Sequence, residues 1–408
     1  MPRLLLLLPA AGYANQDFIE AARRLDIELV ACADYCHQLA AGWGLPPLMS
    51  VPFDQPEVAV PKVLRALRQP VDAVLAADDN GAALAAQLRV ALKLPGNSPE
   101  AVSVLTDKLR FRQLQQTDGL LHPAFASVQE HEANVAAAVG FPLVVKARRL
   151  NASRGVIRAD DASQLERALK RVQRIQSRVR RDAGALGLLV EAFIPGVEVA
   201  LDGVLSQGEL QVLAVFDKPD PLDGPYFEES LYLTPSRLPD ATQRGLAETV
   251  RRACMAAGLA EGVIHAEARI NDEGVWLLEI APRGIGGLCG RVLADTLGMA
   301  SAEIVLRHSV GLPLPTRANA DAAGVMMIPI PGSGILRGVD GLTVAREVRH
   351  ITGIEITAQP GQLMAPPPEG AAYLGFIFSR AATPDEAEAA LRAAHAALDI
   401  RIQPLVEP

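Results

Sequence analysis

The sequence VIHAEARI-NDEG-VWLLEI spans residues 263–280 and decides the fold of this chain. Each apolar half alternates between two faces, which is typical of a β-strand with one buried face. We therefore predict two strands joined as a hairpin. The face predicted to be buried carries Ile264, Ala266, Ala268, Ile270, Trp276, Leu278 and Ile280. The opposite face carries His265, Glu267, Arg269 and Glu279.

The turn of this hairpin sets which residues face each other. A three-residue loop at 272–274, with its glycine in the left-handed position, pairs Asn271 with Val275 and Glu267 with Glu279. Two carboxylates directly opposite each other destabilise a sheet. Cross-strand neighbours lie about 5 Å apart and magnesium binds carboxylate oxygens at about 2 Å, so one ion can bridge the pair. A solvated face with two unrelated glutamates is the alternative.

Composition limits the class of protein. The chain has 408 residues, of which 50% are hydrophobic and 21% charged, as is typical of globular proteins with substantial cores. A net charge of −8 without a long basic run argues against nucleic acid and membranes as partners. The four cysteines form no CxxC pair, which is typical of reduced thiols in a cytoplasmic protein.

The first 100 residues alternate between strand and helix patterns. Strands are predicted at 4–8, 27–32 and 71–76, and a helix is predicted at 16–25. This alternation predicts a parallel sheet with helices on both faces. The loop after the first strand lacks a full dinucleotide fingerprint, so we expect no nicotinamide cofactor there.

Helix starts and further strands follow in the rest of the chain. Thr106-Asp107-Lys108 predicts the start of one helix, and capping-box patterns at Ser163 and Thr383 predict two more. A second hairpin is expected around residues 206–209. The remaining strands are predicted at 141–146, 187–194, 197–205, 210–217 and 371–378.

One segment suited to phosphate binding follows the predicted strand that ends at Lys146. The loop after it is small, polar and basic, and it contains Ser153, Arg154 and Gly155. Glycine allows close approach of the backbone to a phosphate group. An ordinary surface loop is the alternative.

Two glutamates flank the break at Pro195-Gly196. Glu191 follows an apolar strand, and Glu198 follows the break. Either carboxylate could accept a hydrogen bond from a ribose or an adenine amine. A surface pair beside a turn is the alternative.

The most specific segment is 279–287. It places Glu279, Arg283 and a glycine-rich loop with Gly286 and Gly287 within nine residues. The planar fork of arginine suits phosphate or carboxylate, and glycines expose backbone N–H groups to anions. A structural loop after a strand is the alternative.

The chain contains, in this order, Lys108, Lys146, Glu191, Glu198, Glu267, Glu279 and Arg283. This order resembles the ATP-grasp superfamily over residues 1–315. Four further segments are FDKP at 216–219, GPYFEE at 224–229, LTPS at 233–236 and APR at 281–283. With these segments the chain is, within the superfamily, most similar to the L-amino-acid ligases that form dipeptides.

The resemblance implies an α/β (α+β) class and an ATP-grasp fold. ATP would lie between a small and a large subdomain. The expected parts are an N-terminal Rossmann-like parallel-sheet domain at 1–100, a lid subdomain with its linker helix at 101–186, a large subdomain with the metal site at 187–317 and a C-terminal carboxylase-like subdomain at 318–408.

Roles for individual residues are also implied by the resemblance. ATP and Mg²⁺ are the expected cofactors, with Mn²⁺ as an alternative ion. Glu267 and Glu279 would bind the metal, and Arg283 with N–H groups near Gly286 and Gly287 would stabilise an oxyanion. The implied nucleotide-binding residues are Lys108, Lys146, Ser153, Arg154, Gly155, Glu191, Ala192, Phe193, Ile194 and Glu198. The implied substrate-side residues are His265, Lys218 and Glu228.

The implied reaction is formation of an amide bond at the expense of ATP. A substrate carboxylate would attack the γ-phosphoryl group to give an acyl phosphate, and an amine would then displace phosphate. The loop at 149–156 would act as a lid that excludes water. Amino acids are the expected acid and amine, and a homodimer is a further expectation.

Ala281 departs from the superfamily pattern. Many ATP-grasp enzymes have asparagine at this position as a second magnesium ligand, so the coordination of a second ion stays open. The departure, together with the lack of a biotinylation segment, counts against a biotin carboxylase. Two alternatives to a ligase remain: an enzyme that uses bicarbonate, and a nucleotide-binding module without catalysis.

Overall fold

The computed structural model describes residues 1–10, 12–34, 48–129, 135–179, 186–314 and 321–405. These residues form one parallel sheet and three antiparallel sheets with helices packed on them. The mixed α/β class predicted from the sequence is therefore confirmed. Cys36 and the expected boundary at 317/318 lie outside the described residues.

The N-terminal part is a parallel sheet covered on both faces, as predicted. Its elements are β1 (Arg3–Leu8), α1 (Asn15–Arg24), β2 (Glu28–Ala33), β3 (Leu48–Ser50), α2 (Pro56–Ala66), β4 (Ala73–Ala76) and α3 (Asp79–Leu92). The strand order is β3-β2-β1-β4. In β1, Leu5 and Leu7 pack towards α2 and α3, whereas Leu4, Leu6 and Leu8 pack towards α1. Because both faces are buried, β1 is continuously apolar.

The segment predicted to be the lid follows, and this segment, which keeps the name lid, is built from four antiparallel strands in the order β5-β8-β6-β7 and one long helix. The elements of this region are α4 (Pro99–Leu105), α5 (Lys108–Thr117), β5 (Phe125–Val128), α6 (Val135–Val139), β6 (Leu143–Ala147), β7 (Val156–Ala159), α7 (Ala162–Val179) and β8 (Leu188–Ala192). The predicted helix start at Lys108 is confirmed, since the Asp107 carboxylate accepts the Leu109 N–H at 3.1 Å.

The prediction that Ser163 caps α7 is wrong. The Asp161 carboxylate accepts the N–H of Gln164 at 2.8 Å, and the Asp161 carbonyl accepts that of Leu165. Aspartate is as good an N-cap as serine, and it comes two residues earlier. Ser163 consequently lies inside the helix, where its hydroxyl accepts a hydrogen bond from Arg167 at 2.5 Å.

Strands of the large and C-terminal regions share one eight-stranded sheet. The large region contains β9 (Val197–Ser206), β10 (Glu209–Asp217), β11 (Leu231–Thr234), α8 (Asp240–Ala257), β12 (Gly262–Asn271), β13 (Gly274–Ala281), α9 (Val292–Leu297) and α10 (Ser301–Ser309). The C-terminal region contains β14 (Ala322–Met327), β15 (Gly334–Asp340), α11 (Leu342–Glu347), β16 (Ile351–Ile356), β17 (Leu363–Met364), β18 (Gly375–Ala381), α12 (Pro384–Ala396) and β19 (Asp399–Gln403). The large sheet has the order β13-β12-β9-β10-β11-β14-β18-β16, and β17-β15-β19 form a separate sheet.

Two local predictions in these regions can be compared with the structure. The hairpin around residues 206–209 is confirmed, since Ser206 pairs with Glu209. The capping box at Thr383 is also confirmed, because its side chain and that of Glu386 each accept a backbone N–H of the other residue. No helix of the described ranges is both long and apolar enough to cross a membrane.

These parts surround a cavity of about 1220 Å³. It lies between the carboxyl ends of the parallel strands, the lid and the face of β12 and β13. Pockets for one drug-sized ligand are roughly 300–1,000 Å³, so this cavity has room for a nucleotide together with a smaller molecule.

Candidate active site

The predicted pairing of Glu267 with Glu279 is confirmed, but the turn that produces it differs from the prediction. Asn271 faces Gly274, not Val275, so the turn has two residues rather than three. A bulge compensates for this shift, because Ala268 faces Leu277 and Leu278 is left without a cross-strand partner. The extra residue restores the register and places the two carboxylates opposite each other.

The bulge also changes which side chains enter the core. Leu277 is 1% exposed and packs with Ile264 and Ile280. Trp276 and Leu278, predicted on the buried face, are only partly buried, and Leu278 lines the cavity. That part of the prediction is wrong, because strict alternation does not continue across a bulge.

Cations of the protein hold both hairpin carboxylates. Lys218 Nζ lies 3.3 Å from Glu267 Oε2, and His265 Nε2 lies 3.4 Å from Glu267 Oε1. Lys108 Nζ lies 3.2 Å from Glu279 Oε2. Both carboxylates line the cavity, so two hard oxygen donors face one space and their chemistry fits Mg²⁺ or Mn²⁺. The methyl group of Ala281 offers no further ligand.

A second acidic group lies beside Glu267. One carboxylate oxygen from each of Glu198, Glu229 and Glu267 lies within 4.8 Å of the others. The ammonium of Lys218 lies among them, 2.9 Å from Glu198 and 2.6 Å from Glu229. Burial alone would lower the pKa of Lys218, but these carboxylates outweigh it and raise that pKa well above its usual value. Lys218, expected at the substrate, is therefore enclosed by carboxylates.

Glu229, and not Glu228, is the glutamate of this loop that lines the cavity. Glu228 accepts the Ile330 N–H at 3.3 Å and is not among the described residues around the cavity. Burial and the neighbouring Glu267 raise the pKa of Glu229 to about 7. Glu228 therefore does not line the cavity among the described residues, and its expected substrate contact stays a prediction.

His265 is 3% exposed and bridges two carboxylates. Its Nδ1 lies 2.7 Å from Asp202 Oδ1, and its Nε2 faces Glu267. Burial would lower the pKa of His265, but hydrogen bonds to Asp202 and Glu267 outweigh it and raise the pKa to about 9. The ring is therefore charged at neutral pH and orients Glu267.

At the nucleotide side, Glu191 binds two cations. Arg112 Nε donates to its Oε2 at 2.8 Å, and the Lys146 ammonium contacts Oε1. Burial would raise the pKa of Glu191, but the two cations lower it to about 2. Glu198 is similarly held by Arg269 at 2.9 Å. The two glutamates expected to accept hydrogen bonds from ribose or adenine thus have protein partners, and they position Lys146 and Arg269.

The lid contributes further residues to the cavity wall. Ser153 and Arg154 line it, as do the strand-end residues Ala192, Phe193 and Ile194. Gly155, expected to approach phosphate, instead donates its N–H to the Pro368 carbonyl at 2.9 Å. The N–H of Gly155 therefore points to the C-terminal region, which contains Pro368.

Arg283 extends from the end of β13 and is bound by the N-terminal domain. Its Nη2 donates to Asp79 Oδ2 at 2.6 Å, and its Nη1 donates to the Gly284 carbonyl at 2.6 Å. The loop that follows is fixed by Asp202, whose Oδ2 accepts the Ile285 N–H at 3.2 Å. Gly286 and Gly287 line the cavity beside this arginine.

Four residues of the site escaped the sequence reasoning: Asp79, Arg112, Asp202 and Glu229. Asp202 could have been found from the alternation of β9, which places it on the same face as Glu198. Asp79 lies at the carboxyl end of a parallel strand, a common location of binding residues. Nothing in its local sequence indicates contact with Arg283, which is 204 residues away.

Comparison with known proteins gives matches to two domain families and to solved structures. Residues 139–292 match the ATP-grasp domain, and residues 326–403 match the L-amino acid ligase C-terminal domain 2. The crystal structure of L-amino acid ligase from Bacillus licheniformis superposes with a TM-score of 0.83 at 25% identity, covering 99% of each chain.

Curated relatives also match. Carnosine synthase 1 from Gallus gallus is 31% identical over 366 residues, which are 82% of this chain and 38% of that protein. A D-alanine–D-alanine ligase from Syntrophotalea carbinolica is 26% identical over 231 residues, which are 54% of this chain and 70% of that protein. The chain therefore spans well under half of the carnosine synthase that it matches.

Proposed function

We propose that this chain, which belongs to the ATP-grasp superfamily, is an ATP- and magnesium-dependent ligase that joins a carboxylate to an amine. The resemblance drawn from the order of its lysines, glutamates and arginine is confirmed by the two matched domains. The ATP-grasp fold predicted with it is confirmed by the superposition. Two relatives are named as ligases of amino acids, which supports amino acids as the acid and the amine.

The observation that carries the proposal is the convergence of four residues on one cavity. Glu267 and Glu279 face each other there, and Lys146 and Arg283 line the same cavity. Phosphoryl transfer needs charge neutralisation around the phosphates and precise positioning. A module that only binds nucleotides would not need the arginine and the glycine-rich loop beyond the metal ligands.

Each residue has a defined part in the proposed reaction. Lys108 and Lys146 hold the phosphates, while Glu267 and Glu279 hold Mg²⁺. When bound, this ion supplies positive charge that stabilises the transferred phosphoryl group. The substrate carboxylate attacks the γ-phosphorus, ADP leaves, and an acyl phosphate results.

The second step takes place next to Arg283. Glu229 receives the ammonium group of the incoming substrate and takes one proton from it, which frees the nitrogen lone pair, and Lys218 holds Glu229 in place. The amine attacks the acyl carbon, and the resulting tetrahedral species expels phosphate, which carries away the second proton of the nitrogen. Arg283 and the N–H groups at Gly286 and Gly287 stabilise the oxyanion of that species.

A panel assay tests the proposed function. The purified protein is incubated with ATP and Mg²⁺ and with pairs of amino acids, and both phosphate release and product mass are measured. We expect phosphate release that depends on both substrates, with one phosphate released for each molecule of amide product. Glu279→Gln abolishes it, whereas Glu273→Gln in the exposed turn of the same hairpin does not. Phosphate release stimulated by bicarbonate, or ATP binding without turnover, contradicts the proposal.

The homodimer stays a prediction, which sedimentation equilibrium tests.

A further inference from the structure

Two consecutive residues of the lid loop reach two different parts of the site. The Leu150 carbonyl accepts a hydrogen bond from Lys108 Nζ at 2.6 Å, and the same Nζ lies 3.2 Å from Glu279. Asn151 Nδ2 donates to Asp79 Oδ2 at 3.2 Å. That oxygen also accepts the 2.6 Å bond from Arg283. The loop thus contacts Glu279, a proposed metal ligand, through Lys108, and it contacts Arg283 through Asp79.

Asp79 joins three parts of the molecule at a single oxygen. It is the first residue of α3 in the N-terminal domain, and the preceding Asp78 caps that helix by accepting the Asn80 N–H at 2.9 Å. Asn151 belongs to the lid, and Arg283 belongs to the large region. Because α3 packs into the core of the N-terminal domain through Leu84 and Leu88, the carboxylate of Asp79 is a fixed point against which the lid and the arginine are aligned.

The lid end of this contact is also constrained. Leu150 is 8% exposed and packs in the lid core with residues of β6 and α7. The loop around it is bound at its base by Asp107, which pairs with Arg148 at 2.6 Å and with Arg149 at 3.1 Å. A movement of the lid would therefore carry Asn151 with it and change its distance from Asp79.

We propose that Asp79 is a positioning residue that couples closure of the lid loop to the orientation of the Arg283 guanidinium. The proposal rests on the proposed function, because it concerns the acyl phosphate formed in that reaction. With the lid closed, Asn151 and Arg283 share one carboxylate oxygen. Arg283 is then aligned at the time when water is excluded, so the acyl phosphate meets the amine rather than water.

If Asp79 couples the lid to Arg283, loss of the Asn151 side chain and loss of the Asp79 side chain should have different effects on the reaction. A purely structural role of Asp79 would not produce this difference. Without the Asn151 contact, Arg283 remains paired with Asp79 while the lid closes less completely, so acyl phosphate is lost to water. Without Asp79, both the Asn151 contact and the partner of the arginine are lost, so acyl phosphate is lost to water and turnover itself falls as well. The two residues therefore differ in their effects on product per phosphate and on turnover.

The experiment measures phosphate and amide product in the same reaction with the best substrate pair. We expect a ratio of one in the wild type and a ratio of several phosphates per product in Asn151→Ala. Asp79→Ala lowers kcat about 10-fold or more with KM for ATP little changed, since a hydrogen bond to a charged group is lost. Asp79→Asn, which keeps an acceptor oxygen, falls between wild type and Asp79→Ala.

A matched control is Asp240→Asn, because Asp240 is the exposed first residue of α8 and has the helix position of Asp79. Asp240→Asn should have the same kcat and the same ratio of phosphate to amide product as the wild type. Thermal melting separates folding from function. If Asp79→Ala does not fold, Asp79→Asn and Asn151→Ala still decide the outcome. The coupling is overturned if Asn151→Ala releases one phosphate per amide product and Asp79→Asn has the wild-type kcat. Absence of amide product in the wild type overturns the proposed function instead.

Discussion

Glu267 lies directly across its hairpin from Glu279, although the turn between them is one residue shorter than the sequence predicts. The bulge at Leu278 makes up the difference. The arrangement places one carboxylate between Lys218 and His265 and the other beside Lys108. Each proposed metal ligand is therefore oriented by a neighbouring cation.

Lys218 should be indispensable for the stability of this cluster. Lys218→Met leaves Glu198, Glu229 and Glu267 without their shared cation, and breaking a buried ion pair in this way costs about 3–5 kcal/mol. Urea unfolding monitored by circular dichroism measures the loss. Lys170→Met, which removes an exposed lysine paired with Glu166 four residues earlier, is the control and should leave the midpoint unchanged. Equal urea midpoints for Lys218→Met and Lys170→Met would show that Lys218 does not stabilise the three carboxylates.

Glu191 should make stability depend on pH in the acid range. Its pKa is lowered from 4.5 to about 2 in the folded protein, so its contribution is fully present above 4.5 and is lost as the pH falls towards 2. Glu191→Gln should destabilise the protein at pH 7 and reduce the acid dependence of unfolding between those two values. Glu248→Gln, at an exposed pair with Arg251, serves as control. An unchanged acid profile in Glu191→Gln would argue against the pairing.

The neighbouring glutamates of the substrate loop should differ in effect. Glu229→Gln removes the carboxylate that lines the cavity, and we expect KM for the amine to rise about 10-fold or more, because a charged hydrogen bond is lost. Glu228→Gln, whose carboxylate contacts the backbone of Ile330, should leave that KM unchanged. Steady-state kinetics with the amine varied at saturating acid give both values. A rise in KM for the amine in Glu228→Gln but not in Glu229→Gln would support the substrate contact predicted for Glu228.

Gly287 should resist substitution for two separate reasons. Its φ is +62°, and an added Cβ would lie 2.9 Å from the ring of Phe376. Gly298 has a similar φ of +74° with nothing within 4 Å, so Gly298→Ala isolates the backbone cost of about 1–2 kcal/mol. Gly287→Ala should cost about 1–3 kcal/mol more, because the added methyl group would overpack the core against Phe376. Equal melting temperatures would show that Phe376 moves aside freely.

The sequence predicts those features that depend on short-range patterns. Alternation leads to the two strands of the hairpin, and the run of leucines leads to a buried parallel strand. The capping box at Thr383 is equally local. These predictions hold because adjacent residues determine them.

Features that depend on long-range contacts or on one inserted residue are not predicted. The bulge at Leu278 reverses the faces of Trp276 and Leu278 without any signal in composition. The choice between Glu228 and Glu229 depends on the path of an irregular loop. The contact of Asp79 with Arg283 requires the tertiary fold, because the two residues are distant in sequence.

Manganese binding tests the central claim most directly. Electron paramagnetic resonance of Mn²⁺ in the presence of a non-hydrolysable ATP analogue measures the affinity of the ion for the wild type, for Glu267→Gln/Glu279→Gln and for Glu273→Gln as the control. We expect tight binding in the wild type and the control and loss of protein-bound Mn²⁺ in the double variant. The same affinity and the same spectrum in all three proteins would contradict the account.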